Sequence, residues 1–379
     1  MRILHTADWH LGKQLKGVDR TPEIIGALQE IAALVQSERI DLVVVSGDLF
    51  DRAQVSTEAE IAAINFFLRL REMGVAAEVI AGNHDSVQRL SVLAPLLALA
   101  GVSLEAAPLV GPEAVGLRPG LTVGRVPFIS DRRLVRAAQL LSESSEAWRG
   151  RYADGMRRIF ASLGAPNGLP GILLAHLTVE KAQMGGGEFA FYTGEHFAVP
   201  ASAFPTCWSY CALGHIHRQQ QVGEAPVAWY SGSLIQLDFG EGENAPRGAL
   251  IVELEPGEVP RVHPVEAHWG KALRTFRAGP ENLEQVLTQV ERFAGYAKVV
   301  VAGRGNPVLR ERILALPGVI ALEFEAEVLE SDPVTLPERL DWGELYQEYL
   351  RERGEVARSS ELSQVFRQVY EESRAPAET

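Results

Sequence analysis

Over the first 110 residues, unbroken aliphatic runs alternate with segments in which apolar residues recur every three to four positions. "RILHTAD" (2–8) predicts a strand, "PEIIGALQEIAALVQSE" (22–38) an amphipathic helix, and "DLVVVSGD" (41–48) a buried strand. A helix at about 57–73, the strand "AAEVIAGN" (76–83) and an apolar helix near 90–99 follow. Continuous Val/Ile/Leu runs separated by helices indicate a parallel sheet covered on both faces, hence an α/β fold.

Further on, the strands are shorter: "LTVGRVPF" (121–128), "GILLAHL" (171–177), "YCALGHI" (210–216) and "VAWYSGSL" (227–234). "RGALIVELE" (247–255) reads as a surface strand, and 128–165 as a charged, helical insertion rich in arginine. From 271 the pattern restarts as strand 272–277, helix 281–294, strand 297–303, helix 307–316 and strand 318–327, a small second α/β unit. "ESDPVTLPER" (330–339) carries two prolines and reads as an extended linker. Past it, Trp342, Leu345, Tyr346, Tyr349 and Leu350 recur at helical spacing, and Leu362, Val365, Phe366, Val369 and Tyr370 repeat the pattern. The expected division is a core at 1–270, a small unit at 271–330, a linker at 331–340 and a helical arm at 341–373.

Composition narrows this picture. With 46% hydrophobic and 22% charged residues, the chain buries ordinary cores and is not disordered overall. Two cysteines, Cys207 and Cys211, make no disulfide framework and read as packing residues, which suits a reducing cytoplasm. Neither a secretory signal nor a bilayer-spanning stretch is recognisable, so the expected location is cytoplasmic. A net charge of −13 argues against tight, autonomous binding of nucleic acid. Bound divalent cations or local basic clusters reverse that sign within a single cleft.

The chemistry sits just past the strand ends. Asp8-Trp9-His10 follows the first strand, Gly47-Asp48-Leu49-Phe50-Asp51 the second, and Gly82-Asn83-His84-Asp85 the third. His176 ends another strand, and Gly214-His215-Ile216-His217 ends one more. In an extended segment residues i and i+2 share a side, so His215 and His217 point the same way, and both ring nitrogens of a histidine need partners. Ligands of α/β sheets bind outside the carboxyl ends of the strands, where these loops converge. Imidazole with carboxylate and amide oxygens is the donor mix that Mn, Fe and Zn accept, and paired cations clamp the attacking and leaving oxygens of a phosphoryl centre.

As a set, "DWH", "GDLFD", "GNHD", a solitary histidine and "GHIH" resemble the calcineurin-like metallophosphoesterase signature over residues 1 to about 255. The resemblance implies the sandwich core of that superfamily and two divalent metals, taken as Mn²⁺. Asp8, His10, Asp48 and His217 would hold the first metal, and Asp48, bridging, with Asn83, His176 and His215 the second. His84 would stabilise the pentavalent phosphorus or protonate the leaving oxygen, with Asp51 orienting it by a hydrogen bond. As a bland alternative, Asp51 would be a helix N-cap.

"HTADWHLGKQL" (5–15), "SGDLFDR" (46–52), "VPASAFPTCWSYCALGHIHRQQ" (199–220) and "YSGSLIQLDFGE" (230–241) are further similar to the SbcD family of nuclease subunits. That likeness spans nearly the whole chain. It implies a manganese-dependent exonuclease and endonuclease acting on DNA. The 271–330 unit would be a capping domain, and 341–373 would grip the coiled coil of an SbcC-type SMC-like ATPase. It also implies a homodimer within a heterotetramer. Arg52, Lys13 and Arg89 are candidate DNA-phosphate contacts. The cysteine and tryptophan of "TCWSY" (206–210) fall outside the family pattern, and "MGGGEF" (184–189) reads as a flexible loop. The alternatives are a phosphoesterase for small-molecule or protein phosphates and a non-catalytic scaffold that tethers an ATPase to DNA.

Overall fold

The computed structural model describes residues 1–130, 152–166, 168–188, 198–265, 268–303 and 305–325. The linker, the helical arm and most of the arginine-rich insertion lie outside the described residues.

The first sheet has six strands. Arg2–Thr6, Leu42–Ser46, Ala76–Ile80 and Val102–Glu105 run parallel, and Leu250–Glu253 and Arg261–Pro264 extend the sheet antiparallel beside Arg2–Thr6. Alternation along each strand splits its side chains between two cores. Val43 and Val45 face three helices, whereas Leu42 and Val44 face a second sheet.

The helices are α1 (Thr21–Ser37), α2 (Thr57–Glu72) and α3 (Val87–Ala98). In α1 the apolar stripe Ile24, Leu28, Ile31 and Val35 is buried against the sheet. Ser56 caps α2 by accepting the Ala59 amide, and Ser86 caps α3 by accepting that of Arg89. Asp51 is therefore not a helix N-cap.

The second sheet orders Gln220–Glu224, Val227–Tyr230, Tyr210–Gly214, Gly171–His176, Leu121–Val126 and Val115–Arg118, its four central strands parallel. Ile172, Leu174, Tyr210 and Ala212 meet the first sheet. On the opposite side Leu173, Ala175 and Cys211 pack with α4 (Tyr152–Ser162), Phe204 and Trp208. The sheet is covered on both faces, by helices on one and by a second sheet on the other, which is the sandwich core that the family resemblance implied and that the strand pattern alone did not specify.

Two readings are corrected, and Trp208, which had no assigned role, gains one. Leu250–Glu253 is not a surface strand: it pairs with Arg2–Thr6, and Leu250 and Val252 are fully buried. Cys207 is exposed, so only Cys211 is a packing residue. Trp208 has a structural reason, since its indole fills the space left by Gly124 and Gly171 on the outer sheet face.

Residues 273–325 form their own three-stranded parallel sheet, Leu273–Ala278, Tyr296–Ala302 and Val319–Glu325, with α5 (Leu283–Arg292) and α6 (Pro307–Leu314). Phe276, Leu287, Val290, Val299 and Ile313 make a separate small core. Gln236 ties this unit down: its amide accepts the Leu273 N–H at 2.8 Å and donates to the Leu273 carbonyl at 3.1 Å. Fully buried Arg20 adds hydrogen bonds to the carbonyls of Gln236 and Lys271.

Candidate metal centre

Where the parallel strands of the two sheets end, they are stitched together. The Ser46 hydroxyl donates to the Ala212 carbonyl at 2.9 Å, and His176 Nδ1 donates to the Ser46 carbonyl at 2.8 Å. The chain leaves these ends through strained turns. Asp8, His10 and Asp48 have φ of 51°, 51° and 52°, and His215 has φ of 102°. Left-handed backbone at non-glycine residues costs on the order of 1–3 kcal/mol each and clusters at functional sites. Glycine supplies the closest approaches. A Cβ on Gly82 would lie 2.0 Å from Asp48 Oδ1, and one on Gly47 would lie 2.2 Å from His176 Nδ1.

The loops gather one group of buried donors. Asp48 Oδ2 sits 3.6 Å from His10 Nε2 and 3.5 Å from His176 Nε2, while its Oδ1 accepts the His84 amide at 2.9 Å. Asn83 Oδ1 lies 3.0 Å from His176 Nε2 and 2.9 Å from His215 Nδ1. Both carboxylate oxygens of Asp8 accept the His215 amide. Asp8, His10 and His217 offer ligand atoms within 4.8 Å of one another, as do Asp8, Asp48 and His176, and also His10, Asp48 and His84.

The electrostatics follow from burial. Burial opposes charge on Asp48, yet His176 beside it holds the carboxyl well below the usual range. Asp8 is pushed up to about 6 by burial, against the pull of His176 and His217. Burial would strip the proton from His176, but the neighbouring charge of Asp48 raises that imidazole to about 9. For His10, burial outweighs the pull of Asp51 and Asp48 and lowers the ring to about 4. Three ring nitrogens of the cluster, His10 Nδ1, His10 Nε2 and His215 Nε2, are buried with no hydrogen-bond partner. A buried polar atom left unpaired costs about 1–3 kcal/mol. Unpaired imidazole nitrogens in one cluster with carboxylate and amide oxygens fit a divalent cation.

All seven sequence-predicted ligand positions, together with His84, are brought into this cluster, and Asp51 lies at its edge. One detail is corrected. The Asp51 carboxylate does not orient His84; His84 Nδ1 donates to the Asp51 backbone carbonyl at 2.7 Å. The carboxylate instead faces His10 Nδ1 at 3.4 Å, Lys13 at 3.1 Å and Arg52 at 3.1 Å. Despite burial, His10 and Lys13 beside it hold its carboxyl well below the usual range. Of the candidate phosphate contacts, Lys13 and Arg52 are thus paired with Asp51, and Arg89 is paired with Glu60. Arg52 has the most exposed side chain of the three.

Sequence reasoning missed three carboxylates. Asp85 accepts the amides of Leu49, Phe50 and Gly82 and so clamps two of the loops together. Burial, with the charge of Asp48, pushes it up to about 6. Glu241 accepts from His217 Nδ1 at 2.8 Å, and this bond outweighs burial to raise that ring to about 9. Glu188 accepts the His217 amide at 3.0 Å. Each follows a glycine-bearing turn, which was the available signal.

The calcineurin-like phosphoesterase family matches residues 1–219 of the chain. The SbcD component of the SbcCD nuclease of Bacillus subtilis is 33% identical over 73% of this chain and 72% of its own length. The Escherichia coli K12 protein of the same name is 32% identical over 64% and 62%. The DNA double-strand break repair protein Mre11 of Methanopyrus kandleri is 27% identical over 96% and 79%.

Proposed function

Starting from the fact that the chain belongs to the calcineurin-like phosphoesterase family and, within it, to the SbcD nucleases, we propose that it is a two-metal DNA nuclease of double-strand-break repair. The observation that carries this reading is the place of Asp48, one of whose oxygens lies between the Nε2 atoms of His10 and His176. A single carboxylate shared between two sets of nitrogen and oxygen donors suits a bridged pair of cations. Asp8, His10, Asp48 and His217 would hold one, and Asp48, Asn83, His176 and His215 the other. Bound there, a pair of divalent cations supplies Lewis acidity and an activated water for phosphodiester hydrolysis.

The chain's own groups do the rest. Because a carbonyl only accepts, the bond to Asp51 fixes the proton on His84 Nδ1 and leaves Nε2 to face a substrate. In its doubly protonated form the His84 ring gives the Nε2 proton to the departing oxygen as water adds to phosphorus and the P–O ester bond breaks, and the proton lost by the water passes to solvent. Lys13 and Arg52, gathered on Asp51 beside the cluster, offer positive charge to the phosphates of a bound strand. The 273–325 unit acts as the capping domain, and 341–373 as the arm that holds an SbcC-type SMC-like ATPase. Val92 and Leu96 on α3 and Leu99 just past its end, spaced i, i+4, i+7, are 72%, 63% and 73% exposed, an apolar stripe suited to a second copy of the chain. A cytoplasmic, nucleoid-associated location fits a DNA substrate.

The test is hydrolysis of labelled duplex ends and hairpins with Mn²⁺ or Mg²⁺. Mn²⁺ is expected to support turnover and Mg²⁺ to do so poorly, since Mg²⁺ prefers oxygen ligands and gives up water reluctantly. Equal rates with Mg²⁺ alone would rule out a histidine-rich centre.

A further inference from the structure

We infer that Glu241 and the triple-glycine loop at 185–187 form a positioning device for His217, setting which ring nitrogen is offered to a metal. This rests on the dinuclear reading above and goes beyond it, since neither element belongs to the assigned donors. Glu241 is 2% exposed. Its Oε1 lies 2.8 Å from His217 Nδ1, and its Oε2 accepts the Leu237 amide at 3.0 Å. A carboxylate only accepts, so the ring proton sits on Nδ1 and Nε2 is left as the ligand atom; His217 offers a ring nitrogen within 4.8 Å of ligand atoms of Asp8 and His10.

The loop explains why three consecutive glycines stand here. A Cβ on Gly187 would lie 2.4 Å from Glu241 Oε1, and one on Gly186 would lie 2.4 Å from the Gly240 carbonyl. One on Gly185 would lie 3.0 Å from His217 Cβ. The glycines thus let backbone lie directly over the His217–Glu241 pair. Glu188 locks them in place by accepting the Gly185, Gly186 and His217 amides at 2.6, 2.7 and 3.0 Å. A flexible connector would have no such fixed partners, so that expectation is replaced for residues 185–188.

From the other side, the Glu241 carbonyl accepts the Gln236 amide at 2.6 Å, and Gln236 is the residue that grips Leu273. The carboxylate that holds His217 is therefore anchored to the same joint that seats the small α/β unit.

The experiment uses the full chain and titrates Mn²⁺ by calorimetry, with the melting point of the metal-free protein as a control for folding. Glu241→Gln keeps the shape and removes the charge. Gly187→Ala leaves Glu241 in place but pushes its carboxylate aside. Both are expected to weaken one Mn²⁺ by about 10–100-fold. The second ion, assigned to Asn83, His176 and His215, should bind as in the wild type. That selectivity separates positioning from general destabilisation. Unchanged affinity for both ions in either variant, or equal weakening of both, would overturn the inference. Failure of the wild type to bind a pair of ions would instead bring down the dinuclear reading, and the inference with it.

Discussion

Asp48 and His84 touch through one hydrogen bond, yet the geometry gives them separable duties. Asp48 lies between two histidine nitrogens and is held as a carboxylate by His176 despite its burial. His84 meets it through the backbone amide, which leaves the imidazole free of that contact. Asp48→Ala is therefore expected to weaken both metals together, read as loss of bound Mn²⁺. His84→Ala should keep the metals and lower the cleavage rate about 10²–10⁴-fold, the range for a general acid–base group. A His84→Ala protein that lost its metals, or cut DNA at the wild-type rate, would disprove the assigned role. The strained φ values of Asp8, His10, Asp48 and His215 belong at this scale too. Each turns a side chain back toward the cluster at a cost that the surrounding sheets absorb.

Among the described elements, α3 carries an apolar surface that would suit the proposed second copy of the chain. Its capped start is joined to α2 by the Arg89–Glu60 ion pair, while Leu90 and Leu97 anchor its buried face. Val92 and Leu96 lie on the exposed side, with Leu99 at the helix end. Covering such a side chain fully stabilises an association by about 1.5–3 kcal/mol. Leu96→Glu is expected to shift the protein from dimer to monomer in light scattering while leaving the melting point of the fold near its original value. A dimer that persisted unchanged would show that another surface joins the copies. The paired ends of the parallel strands teach a related lesson, since Ser46 bonds both Ala212 and His176. The metal cluster is a product of two sheets meeting, not of any one strand.

For the molecule as a whole, a charge of −13 sits awkwardly with DNA cleavage until the cluster and a partner are counted. Divalent cations held at the centre would reverse the local field, and an ATPase partner would contribute much of the grip on DNA. Residues 341–379 carry two runs of apolar residues at helical spacing, and helices of that length would be stable only when buried against something. Deleting 341–379 is expected to spare metal binding and Mn²⁺-dependent cleavage of simple substrates and to abolish co-purification with the SMC-like ATPase. Retention of the partner at full strength would assign the docking surface elsewhere, and unfolding would mean that the arm belongs to this chain's own core.

Local pattern was enough to reveal the α/β order, the loops "DWH", "GDLFD" and "GNHD" past their strands, and the paired histidines of "GHIH". Period-two and period-3.6 patterns and strand-end polar residues are encoded by neighbours along the chain. What needed the folded molecule was every relation between distant segments. The pairing of Leu250–Glu253 beside Arg2–Thr6 turned an expected surface strand into a buried one. The covering of one face by a second sheet depends on which faces meet, and alternating apolar strands do not specify their partner. Asp51 was read correctly as a neighbour of His84, but only the tertiary structure decided that its carbonyl, and not its carboxylate, makes the bond. Glu241 lies 24 residues from His217 and more than 200 from Asp8, and no spacing rule links them. Hydrogen bonds select a partner by position in space, and position in space is set only when the two sheets close on each other.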